Sequence, residues 1–403
     1  MVEGIPVLSE FSRSRVRTRL PAPLADAARV ARRELAGLRS MPRLPDFPSV
    51  TDSPIRLLIG PTNSAGQGLA WARSAQSLPD VTGTAFALRR GGRYGFADDY
   101  GVPIEIFGHP RWQRAQRRYV LTAYTHVLVE SMRPLLGSGR ASDASADIER
   151  MAGAGLRVGL VFHGSDIRLP SRHAERERWS PFHRADDLTE RLERQARRFS
   201  AAVQAHPGPV FVSTPDLLLD VPAAQWLPVT IDPARWQLAA VPVMERRRPV
   251  VVHAPSNPLL KGSAVIETAM SDLAARGVVE YRRIDGVPHD RMPWVIGDAD
   301  VVIDQLLMGL YGVAACEAMA AGRVVVSYVG DTVRSQVRTR TGLEVPIVEA
   351  DPETLPDVVA SLVADRDGSA ERALEGIRFV DTVHDGRRST EALRVWLTQE
   401  ENA

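Results

Sequence analysis

Lys261 is the only lysine among the 50 basic residues of this 403-residue chain. Arginine, with its planar fork, supplies every other long cationic side chain, whereas lysine offers a compact, freely rotating ammonium that reaches the oxygens of a diphosphate well. It stands in Pro258-Leu-Leu-Lys261-Gly262, after His253-Ala-Pro-Ser-Asn257, where an apolar strand hands over to a helix. The free amides at the start of that helix and the ammonium could share one anion. His253 either completes a core or meets the ligand, and Asn257 sits in the loop between.

A second grouping runs from Asp304 through Gly309, Leu310, Tyr311, Gly312 and Val313 to Glu317. Gly309 and Gly312 flank a helix start, where backbone can approach a ligand and the helix dipole favours negative charge. Glu317 lies one turn inward among Val313, Ala314, Cys316, Ala318 and Met319. A carboxylate on so apolar a helix is costly without partners, and paired sugar hydroxyls would satisfy both its oxygens. The third grouping, His163-Gly164-Ser165-Asp166, ends an apolar run, and strand ends of this kind face a cleft. The fourth, Asn63-Ser-Ala-Gly66-Gln-Gly68, is a glycine-bearing loop between a strand and a helix that lacks the complete dinucleotide fingerprint. Asp298-Ala-Asp300 precedes a strand, which suits capping better than a metal. No zinc spacing, Walker loop or nucleophile elbow is present in the sequence, so no metal site is expected.

The elements that must carry these groups alternate as in parallel sheets with crossover helices. Strands are expected at Ile55–Gly60, Thr84–Leu88, Val102–Phe107, His126–Glu130, Arg157–His163 and Val210–Ser213, with helices such as Gln67–Ser77 and Leu188–Phe199 between them. Asp220–Met244, rich in proline, reads as a crossing segment. A second alternation follows, with strands Pro249–His253, Val279–Ile284, Val301–Asp304 and Val324–Ser327 and helices Gly262–Arg276, His289–Gly297 and Gly312–Ala321. Helices near Pro352–Ala364 and Ala370–Leu397 close the chain. The expected division is an arginine- and proline-rich arm at 1–53, a first α/β domain at 54–235, a second at 236–385, and a helix at 386–403 returning to the first. Within the arm, Leu24–Leu38 has helical periodicity. Its arginines could meet acidic lipid head groups, though the pattern equally suits a helix packed on the body.

Length alone argues for more than one core. A net charge of +1 offers no general field for nucleic acid or membrane, and none is expected as a general partner. The single cysteine, Cys316, rules out an internal disulfide and suits a reducing compartment. No signal-peptide pattern opens the sequence, and Val301–Ala321 is interrupted by charge, so a cytoplasmic protein is expected, with the arm as its one route to a membrane surface.

With His163-Gly-Ser-Asp166, Lys261-Gly262, Asp298-Ala-Asp-Val-Val-Ile-Asp-Gln305 and Tyr311-Gly-Val-Ala-Ala-Cys-Glu317-Ala-Met-Ala-Ala-Gly322 in this order, the chain resembles retaining GT-B glycosyltransferases of the family four type, across Ile55–Leu397. The resemblance implies an α/β architecture of two Rossmann-like doubly wound domains facing across a cleft. It implies transfer of a hexosyl-type sugar from a nucleoside-diphosphate sugar to an acceptor hydroxyl, with retention and without metal or other cofactor. Lys261, Glu317 and His163 would form the catalytic set. His253, Asn257, Gly262, Asp304, Gly309, Leu310, Tyr311, Gly312 and Val313 would bind the donor, and Asn63, Gly66, Gly68, Gly164 and Asp166 would serve the sugar and acceptor. Two positions depart from the pattern: Gly309 stands where the first of two glutamates is expected, and Ser256 where an arginine is. Asp304, His253 or a distant arginine could compensate. Two other functions fit the same residues: a non-catalytic relative that binds nucleotide or saccharide as a partner subunit, and a nucleotide-sugar epimerase.

Overall fold

The computed structural model of the chain describes residues 44–89, 91, 95–137, 143–238 and 240–398. The chain forms two compact units, Met1–Asp46 and Phe47–Ala403. Of the first, only 44–46 are described, and they form no regular element. The expected helix at Leu24–Leu38 lies outside the described residues. Both sheets belong to the second unit.

Runs of β-branched residues buried on both faces make parallel sheets, because crossover helices cover each side. The strands are β1 (Ile55–Gly60), β2 (Val81–Arg89), β3 (Tyr100–Pro103), β4 (His126–Glu130), β5 (Arg157–Phe162), β6 (Val210–Val212), β7 (Gln225–Trp226), β8 (Val250–His253), β9 (Glu280–Arg283), β10 (Val301–Ile303), β11 (Val324–Ser327) and β12 (Val348–Glu349). They form a seven-stranded sheet in the order β3-β2-β1-β4-β5-β6-β7 and a five-stranded sheet in the order β12-β11-β10-β8-β9. The pairings in both are parallel. In each sheet the strand order reverses once, between β1 and β4 and between β8 and β10. Such reversals leave a crevice at the carboxyl ends of the strands.

Successive strand residues point to opposite faces, and the second sheet shows this directly. Val250, Val252, Val302 and Val325 pack with Ala315, Cys316 and Met319 of the Val313–Ala320 helix. Val251, Val301, Ile303, Val324 and Val326 pack on the other side with Ile266, Met270 and Leu273 of the Ser263–Ala275 helix. The core of the first sheet joins Leu57, Ile59, Leu128, Val161 and Phe211 to Trp71, and is closed by Leu393 and Trp396 of the Arg387–Thr398 helix.

Two expected elements end differently. The strand expected at Val102–Phe107 stops at Pro103, which has no N–H for the ladder, and Ile104–Phe107 is a helical turn. The helix expected at Ala370–Leu397 is broken at Gly386, with φ +101°, into Arg366–Val383 and Arg387–Thr398. The crossing segment contains β7 and a short helix, Pro233–Gln237. Among the described residues, no helix is long and apolar enough to cross a membrane.

Candidate functional site

A cavity of about 450 Å³ is lined by the carboxyl ends of strands from both sheets. A larger groove of about 770 Å³ opens at the amino ends of β5 and β6. Its histidine, His206, is tied to the Val158 carbonyl, and it lacks the convergent polar groups of the smaller cavity.

On the second-sheet side, Asn257 caps the Pro258–Lys261 turn by accepting from the amides of Leu259 and Leu260 at 3.2 and 3.4 Å. Gly262, with φ +75°, then redirects the chain into the Ser263–Ala275 helix. Lys261 is thereby aimed at the β8/β10 reversal, where its Nζ meets Oδ1 of Asp304. The lysine side chain is 17% exposed and that of Asp304 only 2%. Both line the cavity.

The loop after Asp304 is shaped by Gln305. Its Oε1 accepts from the amides of Leu307 and Met308, and its Nε2 donates to the carbonyls of Leu310 and Tyr328. Leu310, Gly312, Val313 and Ala314 consequently line the cavity at the start of the Val313–Ala320 helix. The first-turn amides of that helix have no acceptor within it and point outward from its N-terminus.

One turn on, Glu317 lines the same cavity at 9% exposure. Its Oε1 accepts from His289 Nε2 at 2.7 Å. The tautomer follows from Arg235, which can only donate and lies 3.3 Å from His289 Nδ1, leaving the imidazole hydrogen on Nε2. Phe96 and Trp236 pack on the His289 ring, at centroid distances of 4.6 and 5.8 Å. Burial pushes the Glu317 carboxyl above its ordinary range, opposed by the His289 bond and by the positive charges of Arg235 and Lys261. Its second oxygen remains available to hydroxyl donors.

On the first-sheet side, His163 follows β5 and stacks on Trp71 at 5.5 Å. Its Nε2 lies 3.1 Å from Oε1 of Glu130, the last residue of β4. The other oxygen of Glu130 accepts from the amides of Thr62 and Asn63, each at 2.7 Å. Burial opposes the charged form of His163, but the hydrogen bond and charge of Glu130, helped by Asp166, raise its pKa overall. Arg168 also faces the cavity and is held by Asp216 through Nε and Nη2 at 3.0 and 2.5 Å.

Of the residues expected from sequence, Lys261, Glu317, His163, Asn257, Asp304, Leu310, Gly312, Val313 and Gly164 line this cavity together. The others stand behind it. His253 is fully buried, with Nδ1 and Nε2 each 2.8 Å from a partner, the Ile303 carbonyl and the Ser263 hydroxyl. It belongs to the core, which corrects the expectation of donor contact, and burial lowers its pKa to about 4. Tyr311 is likewise buried, its hydroxyl 3.3 Å from His384 Nε2. Asp166 is spent on the amides of His163 and Gly164 and on the Ser131 hydroxyl. Asn63 fixes its own loop by accepting from Leu69 and donating to Ala97, while Gly66 supplies a φ of +77° and Gly68 lies against Asn63. Ser64, Ala65 and Gln67 of that loop are the residues that reach the cavity.

Gly309 has φ +61°, and the space a side chain there would enter holds the carboxylate of Glu177, 2.8 Å from the ideal Cβ position. That carboxylate accepts from the Tyr328 hydroxyl at 2.7 Å. His289, Glu130 and Glu177 carry no local sequence signal, since their partners lie 28, 33 and 151 residues away.

No protein-family model and no curated protein matches the chain. Solved structures do. Sucrose-phosphate synthase of Thermosynechococcus elongatus superposes with a TM-score of 0.55 at 14% identity, covering 85% of this chain and 97% of its own. Anabaena HepE in complex with UDP and glucose gives 0.52 at 12% identity, covering 86% and 99%. A glycosyltransferase from Rickettsia africae ESF-5 gives 0.52 at 11% identity, covering 87% and 100%. The fold is that of the GT-B glycosyltransferases. At 11–14% identity these likenesses show the fold alone.

Proposed function

We propose that the chain is a glycosyltransferase that moves a hexosyl-type sugar from a nucleoside-diphosphate sugar to an acceptor hydroxyl, with retention and without a required metal. The observation that carries this reading is the placement of Lys261, the N-terminus of the Val313–Ala320 helix and Glu317 along one wall of a single cavity, opposite His163. An ammonium and a row of amides suit the two phosphates, and a buried carboxylate one turn further suits the ribose hydroxyls. The likeness to HepE, whose structure holds UDP and glucose, supports a nucleotide sugar as donor.

In this reading the acceptor oxygen attacks the anomeric carbon on the face from which the diphosphate leaves. The anomeric C–O bond breaks with its electron pair going to the diphosphate oxygen, and that oxygen takes the acceptor proton. Lys261 and the helix amides are a cation and a row of dipoles aimed at charge that grows as the bond breaks, a contribution that often dominates catalysis. Glu317 anchors the nucleoside. His163, oriented by Glu130 and Trp71, positions the sugar or acceptor and is not assigned as a base.

Gly309, with no acid of its own, and Lys261, already paired with Asp304, favour a second reading: a partner subunit that binds nucleotide or saccharide without turnover. Incubation with a panel of nucleotide sugars and candidate acceptors, with and without a chelator, separates the two. Free nucleoside diphosphate and a glycosylated acceptor, read by mass spectrometry and undiminished by chelation, are expected. Saturable binding with neither product would favour the partner, and an isomerised donor would point to epimerisation.

A further inference from the structure

The cavity's ionisable side chains have partners before anything enters it: Arg168 with Asp216, His163 with Glu130, Glu317 with His289, and Lys261 with Asp304. The last pair differs from the others because its anion stands beside the seat read above as that of the diphosphate. Asp304 immediately follows β10 at the strand reversal, its amide is bound to the Val326 carbonyl at 3.0 Å, so the strand fixes its backbone, and its short side chain is buried. Lys261 ends a flexible stem, so its ammonium can turn from one oxygen to another. A resident carboxylate and an entering diphosphate would thus compete for one cation in a site screened from water, where such charges count for more than at a surface.

Resting on the nucleotide reading, we propose that Asp304 is the resident competitor for Lys261. It holds the ammonium in place in the empty cleft, weakens diphosphate binding, and favours departure of the nucleoside diphosphate after transfer. This role is separate from sugar contact, and it accounts for a buried carboxylate beside a phosphate seat, which would otherwise only repel the ligand.

The test titrates inorganic pyrophosphate, UDP and uridine into the full chain by calorimetry, as wild type, Asp304→Asn, Asp304→Ser and Lys261→Met. Asparagine matches aspartate in shape, and the serine variant guards against a misplaced amide; thermal unfolding checks that each is folded. Both Asp304 variants are expected to bind pyrophosphate and UDP about tenfold more tightly, the scale of an ordinary coupling between sites, with uridine unchanged. Unchanged or weaker pyrophosphate binding in both, while Lys261→Met weakens it, overturns the competitor role and leaves the phosphate seat standing. Tightening of uridine to the same degree overturns it too, since the effect would not act through phosphate. Should Lys261→Met leave pyrophosphate affinity untouched, the seat itself is misread and the competitor role falls with it.

Discussion

Replacing Gly309 by alanine tests the structure where it departs most sharply from the pattern read in the sequence. The φ of +61° at this position is left-handed, and the ideal Cβ would lie 2.8 to 3.0 Å from the carboxylate of Glu177. A residue with Cβ in that conformation costs about 1–2 kcal/mol. The carboxylate sits at the end of a flexible side chain and can move, but moving it breaks the bond from the Tyr328 hydroxyl, and bonds to charged groups contribute about 1.5–3 kcal/mol. The expected loss is about 2.5–5 kcal/mol, measured as a shift in the urea unfolding midpoint at neutral pH. Gly312→Ala is the control: its φ is −126° and a Cβ there would meet nothing within 4 Å, so it should lose at most about 1 kcal/mol, the cost of alanine at a helix N-cap. In a Glu177→Ala background the Tyr328 bond is already gone, and Gly309→Ala should then cost only the backbone part. Full additivity of the two substitutions, or a Gly309→Ala protein as stable as wild type, would refute the placement of Glu177 over Gly309.

Glu130→Gln removes the charge that holds the His163 imidazole up, so the His163 pKa should fall below 6.5 in an NMR titration; an unmoved titration would break the pairing argument. Glu317→Gln should weaken uridine binding about tenfold, from the loss of charge-assisted hydrogen bonding, while pyrophosphate binding is unaffected; equal losses would remove Glu317 from the ribose. Because burial raises the Glu317 pKa, uridine affinity should decline on acidification at a higher pH than an ordinary glutamate would cause. His126, His173, His253 and His384 are each held down from 6.5 to about 4, first by burial. The unfolded chain binds protons at these histidines that the folded chain refuses, so their contribution is complete above pH 6.5 and drains away as pH falls towards 4. The combined loss is on the order of several kcal/mol, and a urea midpoint unchanged between pH 7 and pH 5 would contradict it.

The alternation of short β-branched runs with helices was legible because period and burial agree along the chain, and β1, β4 and β11 begin and end where their residues indicate. Lys261, Asp304 and Glu317 were legible as candidates because strand ends and helix starts have local chemistry. The partners were not. His289 on Glu317, Glu130 on His163 and Glu177 over Gly309 arise from tertiary approach between distant segments. His253 illustrates the converse: its position at a strand end left core and ligand roles open, and only the Ser263 hydroxyl and Ile303 carbonyl around it show a core residue. Pro103 and Gly386 ended elements that apolar periodicity alone would have continued.

Donor binding by this cleft requires an ammonium that meets phosphate, and the titration of UDP into wild type and Lys261→Met tests this most directly. Methionine keeps the apolar stem and removes the charge. The dissociation constant should rise at least about tenfold, as expected for loss of a hydrogen bond between charged groups, with the wild-type advantage shrinking as salt is added. Equal affinity for UDP in the two proteins at low salt would contradict it.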